Sequence, residues 1–377
     1  MKKIVSLILS LAMMVSLCAC GASKENTSSD VTGQSTASIT VTDHNGDKVT
    51  LPKKVEKVAV CDIFPLPSVI SVFFDSADKL VGIAPTSMSA AKNSLLSELY
   101  PEILNAKTDF MNGSDVNTEE LAKLEPDVVF FSANNKELGE TLRNAGFNAV
   151  GISANKWEYN AIETLNQWIK LLSEIFPDNN KYSKVEKYSN EVYDMVQQKT
   201  KDLTDEQRER VFFLFQYSDS NIMTSGQKFF GQWWADAIGA VNVANELEKD
   251  NSVAVNLEQI YKWNPQTIFI TNFNTAKPDD LYNNTVGSYD WSSVKAVADK
   301  KVYKMPLGMY RSYTPGVDTP ITLLWLAKTT YPELFADIDV TAKTVEYYKN
   351  VFGIELTSEQ AEKIFTPVSA AGKTYFN

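Results

Sequence analysis

One histidine, His44, is all that this 377-residue chain contains. A metal site built from several imidazoles is therefore excluded within a single chain. A Ser-His-Asp triad is excluded too, unless His44, close to the chain start, is its base. Cysteine is almost as scarce, with Cys18, Cys20 and Cys61. No pair of them has zinc-ligand spacing on a folded segment, and no disulfide framework follows. Positive charge is in deficit, 36 Lys+Arg against 47 Asp+Glu for a formal charge of -11, which argues against non-specific nucleic-acid binding. A P-loop, a Gly-rich dinucleotide turn and a nucleophile–base pair are all missing, so the enzyme reading, a hydrolase on a two-lobed scaffold, has little to stand on. No cofactor is implied.

The chain begins with a secretory leader, residues 1–19. Lys2 and Lys3 supply its charged start and Ile4–Leu17 its apolar stretch. Leu17-Cys18-Ala19-Cys20 resembles the bacterial lipoprotein box, which puts cleavage before Cys20 and lipid on that thiol. Loss of the two leader lysines takes the formal charge from -11 to -13. Residues 20–38 are small and polar and read as a lipidated flexible tether. The protein is thus expected outside the cytoplasm, anchored to the cell membrane by lipid.

The folded part reads as two lobes around a strut. Asp178–Leu203 holds no Gly or Pro, and Tyr182, Val185, Tyr188, Val192, Met195 and Val196 recur at helical steps on one face. Asp178 is a candidate cap, and as a single helix 178–203 would be about 39 Å long. A repeat flanks it. Asn117-Thr-Glu119-Glu120-Leu121-Ala-Lys-Leu124-Glu-Pro126 precedes Asp-Val-Val-Phe-Phe131, and Asn256-Leu-Glu258-Gln259-Ile260-Tyr-Lys-Trp263-Asn-Pro265 precedes Gln-Thr-Ile-Phe-Ile270. Each copy predicts a short helix that starts near Asn, stops before Pro and leads into a buried strand. A hairpin over Ile39–Leu51, turning at Asn45-Gly46, opens the fold, and strands then alternate with helices. This pattern predicts an α/β fold with mostly parallel sheets. The divisions are a first lobe 39–159, connecting helices 160–203 and a second lobe 204–377 that ends in surface helices. Met223–Gly226 reads as a turn.

In such sheets ligands bind beyond the carboxyl ends of the strands. Phe64, Met88, Phe110, Asn134, Tyr217, Phe273, Tyr310 and Arg311 follow those ends. Aromatics and Met suit a bulky, partly flat, polarizable ligand, and Arg311 suits a carboxylate or anionic chelate. Core packing is the competing reading for each ring. Trp233, Trp234, Trp263 and Trp325 sit inside helical periods and read as core. Glu119 and Glu258 occupy equivalent helix starts. They read either as acids favoured by the helix dipole or as one surface charge per lobe for a two-fold partner.

These features together resemble the substrate-binding lipoproteins of ABC importers for iron–siderophore, haem and cobalamin. The resemblance runs from about Ile39 to about Phe335. It rests on Val41-Thr-Asp43 with Gly46 and Val49-Thr-Leu-Pro52, the two Glu…Pro repeats, Thr224-Ser225-Gly226, and Trp325-Leu-Ala-Lys with Tyr331-Pro-Glu-Leu-Phe335. It implies two Rossmann-like lobes joined by one long spanning helix, with little hinge motion. It also implies docking of Glu119 and Glu258 on arginines of the two permease subunits. The expected protein is a monomer that carries a small-molecule metal chelate, most simply an iron(III)–siderophore. A corrinoid or haem is the alternative, and the lone His44 argues against a His-ligated haem.

Overall fold

Alternating apolar residues set the first element. In the computed structural model, which describes residues 38–368 and 372, Ser38–Thr42 pairs antiparallel with Lys48–Pro52. Val41 lies opposite Val49 and Ile39 opposite Leu51, so one face turns to the core. Gly46 takes the left-handed conformation (φ 89°) that the turn needs. The expected leader, the lipidation site Cys20 and the tether up to residue 37 lie outside the described residues.

Each lobe is built on four parallel strands. In the first lobe the spatial order is Leu80–Ile83, Val58–Val60, Val128–Ser132, Ala149–Ile152. In the second it is Val241–Asn242, Arg210–Leu214, Thr267–Ile270, Val302–Lys304. Numbered along the chain, both sheets have the order 2-1-3-4, so the lobes share one topology. Apart from Ser132, Arg210 and Thr267 at their ends, the inner strands are apolar and buried, as parallel strands covered on both faces must be.

The sequence repeat corresponds to a structural one. Asn117 and Asn256 cap the helices Thr118–Ala122 and Leu257–Trp263, their side chains accepting from Glu119 and Glu120 N–H and from Gln259 N–H respectively. Both copies place a left-handed residue directly before the proline, Glu125 (φ 49°) and Asn264 (φ 44°), the latter capping the end of its helix. The proline ring disfavours the right-handed helical conformation for the residue before it, so neither helix, ending at Ala122 and at Trp263, runs on to its proline.

The lobes are joined by the helix Tyr182–Thr200. At its start Lys181 N–H donates to Ser173 Oγ of the first-lobe helix Ala161–Ile175. At its end Gln197 donates to Ala237 O, and Lys199 reaches Leu334 O and Asp337. It is shorter than the expected 178–203, about 28 Å for 19 residues. Pro177 instead opens a separate 3-10 turn, Pro177–Asn179, and Asn180 Oδ1 accepts from Tyr182 N–H, so Asp178 caps nothing here.

Two other segments differ from expectation. Ile222–Ser225 is the central strand of an antiparallel sheet between Gln216–Tyr217 and Ser252–Val255, not a turn. Gly226 follows it, and Asn242 Nδ2 donates to Ser225 O. Pro85–Lys92 is a helix started by its proline. The C-terminal helices Val340–Tyr347 and Ser358–Phe365 are amphipathic, each with a few residues turned inward. Tyr347, Tyr348, Phe352 and Ile364 are buried in the same apolar cluster as Trp168 and Trp234. Helix Ser358–Phe365 also returns to the first lobe, where Lys363 and Gln360 bond Glu98.

His44 serves the fold. Its Nδ1 accepts from Ser153 N–H at 3.0 Å, and its ring meets Trp157 edge-on at 4.9 Å. Burial first, then Lys156, lower its pKa from 6.5 to about 4. A lowered folded value means that stability is fully present above pH 6.5 and is lost as pH falls toward 4. The loss should be on the order of 3 kcal/mol. Thermal midpoints of wild type and His44→Asn, which keeps an acceptor near Nδ1, check this across that window. The wild-type curve should fall more steeply, and parallel curves would assign the acid sensitivity elsewhere.

Candidate functional site

A 2-1-3-4 strand order reverses direction between its first and third chain-order strands, and ligands favour the crevice beyond that switch point. In the first lobe this point lies beyond Val60 and Ser132. Asp62 ties the two strand ends together, accepting from Ser132 N–H at 2.6 Å and from Asn135 Nδ2 at 2.9 Å. Phe64 follows it, half-buried, with its carbonyl held by Ser87 Oγ. In the second lobe the point lies beyond Leu214 and Ile270. Thr271 Oγ1 and Asn274 Nδ2 both donate to Phe215 O, and Asn272 Nδ2 reaches Met305 O and Pro306 O.

A row of rings runs along this second-lobe edge. Phe273 lies 5.0 Å from Phe215, Phe215 lies 5.6 Å from Phe229, and Phe229 lies 5.4 Å from Tyr159 of the first lobe. All four rings are half-buried. At one end the Arg311 guanidinium sits 5.0 Å from the Phe273 ring centre and 5.8 Å from that of Tyr310, within cation–π range. At the other end a pocket of about 620 Å³ opens between the lobes. Trp157, Tyr159, Phe229 and Trp233 line it together with Glu158, Asp236 and Asp250. Glu158 (φ 53°) and Tyr159 (φ 60°) are successive left-handed residues, and Tyr159 OH crosses to Asp250 O at 2.5 Å.

The loop carrying Arg311 is braced from three sides. Leu307 N–H donates to Ile364 O, and Leu95 N–H of the first lobe donates to Gly308 O. Buried Asp318 accepts from Met309 N–H at 2.7 Å and from Tyr348 OH at 2.6 Å. Burial pushes the Asp318 carboxyl up, while these two donors oppose the shift. A Cβ on Gly308 would lie 2.3 Å from Asp318 Oδ1, so only glycine fits the turn. Tyr348→Phe should cost about 1–3 kcal/mol of stability by removing one donor from a buried acceptor. Denaturant unfolding measures the loss, and an unchanged midpoint would mean that water replaces the hydroxyl.

The residues expected at the site separate into groups. Phe64, Phe273, Tyr310 and Arg311 follow the strand ends of the interlobe seam. Asn134 is exposed beyond Ser132. Met88 is buried in the helix Pro85–Lys92. Phe110 is fully buried, so close to Gly82 that a Cβ there would meet its ring at 2.9 Å. Tyr217 turns into the second-lobe core, where its OH accepts from Trp291 Nε1 and donates to Val286 O. The sequence reading passed over Trp157, Tyr159 and Phe229. The strand-end rule, applied to Ala149–Ile152, leads toward Trp157 and Tyr159, whereas Phe229 follows an antiparallel strand, Ile222–Ser225, that the sequence reads as a turn. Trp233 lines the pocket, whereas its neighbour Trp234 is core. Glu119 and Glu258 are exposed, and neither forms an ion pair among the described residues.

A family model described as "Periplasmic binding protein" matches residues 68–307. This span is more than half of the chain, and the chain belongs to that family. Its fold and family are those of periplasmic solute-binding proteins. A periplasmic solute binding protein from Veillonella parvula is 28% identical, with a TM-score of 0.78 over 88% of this chain and 97% of that one. The molybdate-binding protein MolA of Haemophilus influenzae is 25% identical over 342 residues, 86% of this chain and 93% of that protein. Its molybdate-bound crystal structure, described as the cognate binding protein of an ABC transporter, superposes with a TM-score of 0.69. That match has 23% identity and covers 84% of this chain and 99% of the other. No helix among the described residues is long and apolar enough to cross a membrane.

Proposed function

We propose that this protein is a monomeric, lipid-anchored receptor that captures an anionic iron(III) chelate of the siderophore type and passes it to an ABC importer. The observation that carries this reading is the row of half-buried rings between the lobes, with the Arg311 cation at one end and a pocket of about 620 Å³ at the other. That volume suits an organic chelate and is generous for a bare ion. Rings supply flat apolar area, and a guanidinium supplies a fixed fork for carboxylate or phenolate oxygens. The anchor is Cys20, motivated by the lipoprotein box at Leu17–Cys20. Glu119 and Glu258 are the docking charges. The protein performs no chemistry on its solute. His44 is engaged with Ser153, which counts against axial imidazole ligation of haem.

A second reading, an oxyanion, is favoured by the likeness to a molybdate-binding protein and by Ser312 beside Arg311. The Ser312 hydroxyl is buried with no hydrogen-bond partner among the described residues, and a tetrahedral oxyanion needs such a donor. Titration followed by Trp fluorescence separates the readings, because Trp157 and Trp233 line the pocket. The panel is ferric citrate, ferric hydroxamate and catecholate complexes, molybdate, cobinamide and haemin. Saturable binding of a ferric chelate is expected. Saturation by molybdate with no response to any ferric chelate would replace the first reading by the second.

A further inference from the structure

The pocket at the Tyr159 end of the ring row carries a charge pattern opposite to that of the Arg311 end. Its aromatic walls are Trp157 and Tyr159 from the first lobe and Phe229 and Trp233 from the second, all half-buried. The fold holds these rings in place. Tyr159 meets Phe229 at 5.4 Å and Phe230 at 4.9 Å, and its hydroxyl donates to Asp250 O. Trp233 stacks on Tyr193 of the spanning helix at 6.5 Å. Gln227 and Lys228 N–H donate to Leu247 O and Lys249 O, which draws the Asp250 segment against the residues before Phe229. Glu158, Asp236 and Asp250 stand among the rings, with Lys228 as the one cation on the wall. None of the three carboxylates forms an ion pair among the described residues.

An aromatic face attracts a cation through its quadrupole, and carboxylates beside it add charge of the matching sign. A bare hard cation needs several oxygen ligands converging on one point, and no group of acids among the described residues provides them. We propose that this pocket binds an organic ammonium group, so that the cleft reads a solute anionic at one end and positively charged at the other. That the ammonium belongs to a ferric chelate rests on the function proposed above; that the pocket takes an ammonium does not. Burial pushes the Asp236 carboxyl up while Gln232 and Arg208 oppose the shift, and an incoming cation favours its ionised form further. The ring row between the two ends offers flat apolar area to the body of the chelate.

Choline and its neutral carbon isostere, 3,3-dimethylbutan-1-ol, test the pocket by calorimetric titration. Choline should bind about 10-fold or more tighter than the isostere. Asp236→Asn and Asp250→Asn keep the shape of exposed side chains. Each should weaken choline by about 3-fold and leave the isostere unchanged. Glu125→Gln, an exposed acid outside the pocket, should change neither. Equal affinity of choline and isostere in the wild type overturns the proposal whatever the variants do. So does a preference for choline that survives in the double Asp variant. The ferric complex of a linear trihydroxamate with a free terminal amine, set against the same complex with that amine acetylated, tests the solute. The amine form should bind about 10-fold tighter, and the double Asp variant should lose this preference. Equal affinity of the two complexes overturns the doubly charged solute. Preferential choline binding with no response to either ferric complex upholds the pocket and overturns the ferric-chelate reading instead.

Discussion

Arg311→Met should weaken capture of the anionic solute by about 10- to 100-fold. Arg311 is fully buried, packed on Phe273 and Tyr310, and its charge is held in a low-dielectric seam between two lobes. A charge-assisted hydrogen bond in such a place is worth about 1.5–3 kcal/mol, which sets the expected factor. Methionine is chosen over alanine because it fills most of the volume and avoids a cavity between the two rings. Calorimetric titration with the identified solute measures the change, and the thermal midpoint separates lost affinity from lost fold. Lys in the same place should recover only part of the affinity, because a point charge cannot reproduce the planar fork. Unchanged affinity in Arg311→Met would make Arg311 a structural residue and move the solute to the pocket by Trp157 and Trp233.

The paired change Glu119→Ala with Glu258→Ala should abolish transport while solute affinity stays intact. The two acids hold the second position of equivalent Asn-capped helices, each followed by a left-handed residue, a proline and the third strand of its sheet. A two-fold permease presents one basic pocket twice and needs the same acid twice. Both carboxylates are exposed and make no ion pair with described neighbours, so each is available to a partner. Loss of one charge pair at a docked interface costs about 2 kcal/mol or more, roughly 30-fold in affinity. Each single change should lower transporter-stimulated ATPase activity, the double change should bring it to background, and rising salt should mimic the single changes. Normal stimulation by the double variant would refute the docking assignment. Lost solute binding would move both acids into the cleft.

The duplicated Asn-capped helices that carry Glu119 and Glu258 were legible early because capping is local. An Asn with an acid two residues on and a Pro at the far end specifies a short helix with no help from the rest of the chain. The solute side was less legible. Tyr217 and Phe273 both follow strand ends, and nothing in their neighbours tells them apart. Tyr217 turns into the second-lobe core because Trp291, 74 residues on, offers it an indole N–H. Phe273 stays half-buried against Phe215 and Arg311, in a turn whose carbonyls Lys304, 31 residues on, ties together. The same holds for the C-terminal segment. Helices were expected there, but where their inner edge docks depends on Tyr348 meeting Asp318, 30 residues away, and on Ile364 meeting Leu307.

By itself the sequence determined the two lobes, the alternation of strand and helix, the duplicated capped helices and a spanning helix without breakers. These rest on period, capping and proline sterics, which act within a few residues. Tertiary structure alone decided which strand-end rings face the seam, where the spanning helix starts, and that Arg311 sits on Phe273 under the brace of Asp318 and the C-terminal segment. Those outcomes depend on buried polar groups finding partners far along the chain. A buried donor or acceptor must be paired, and local pattern does not say with which distant residue.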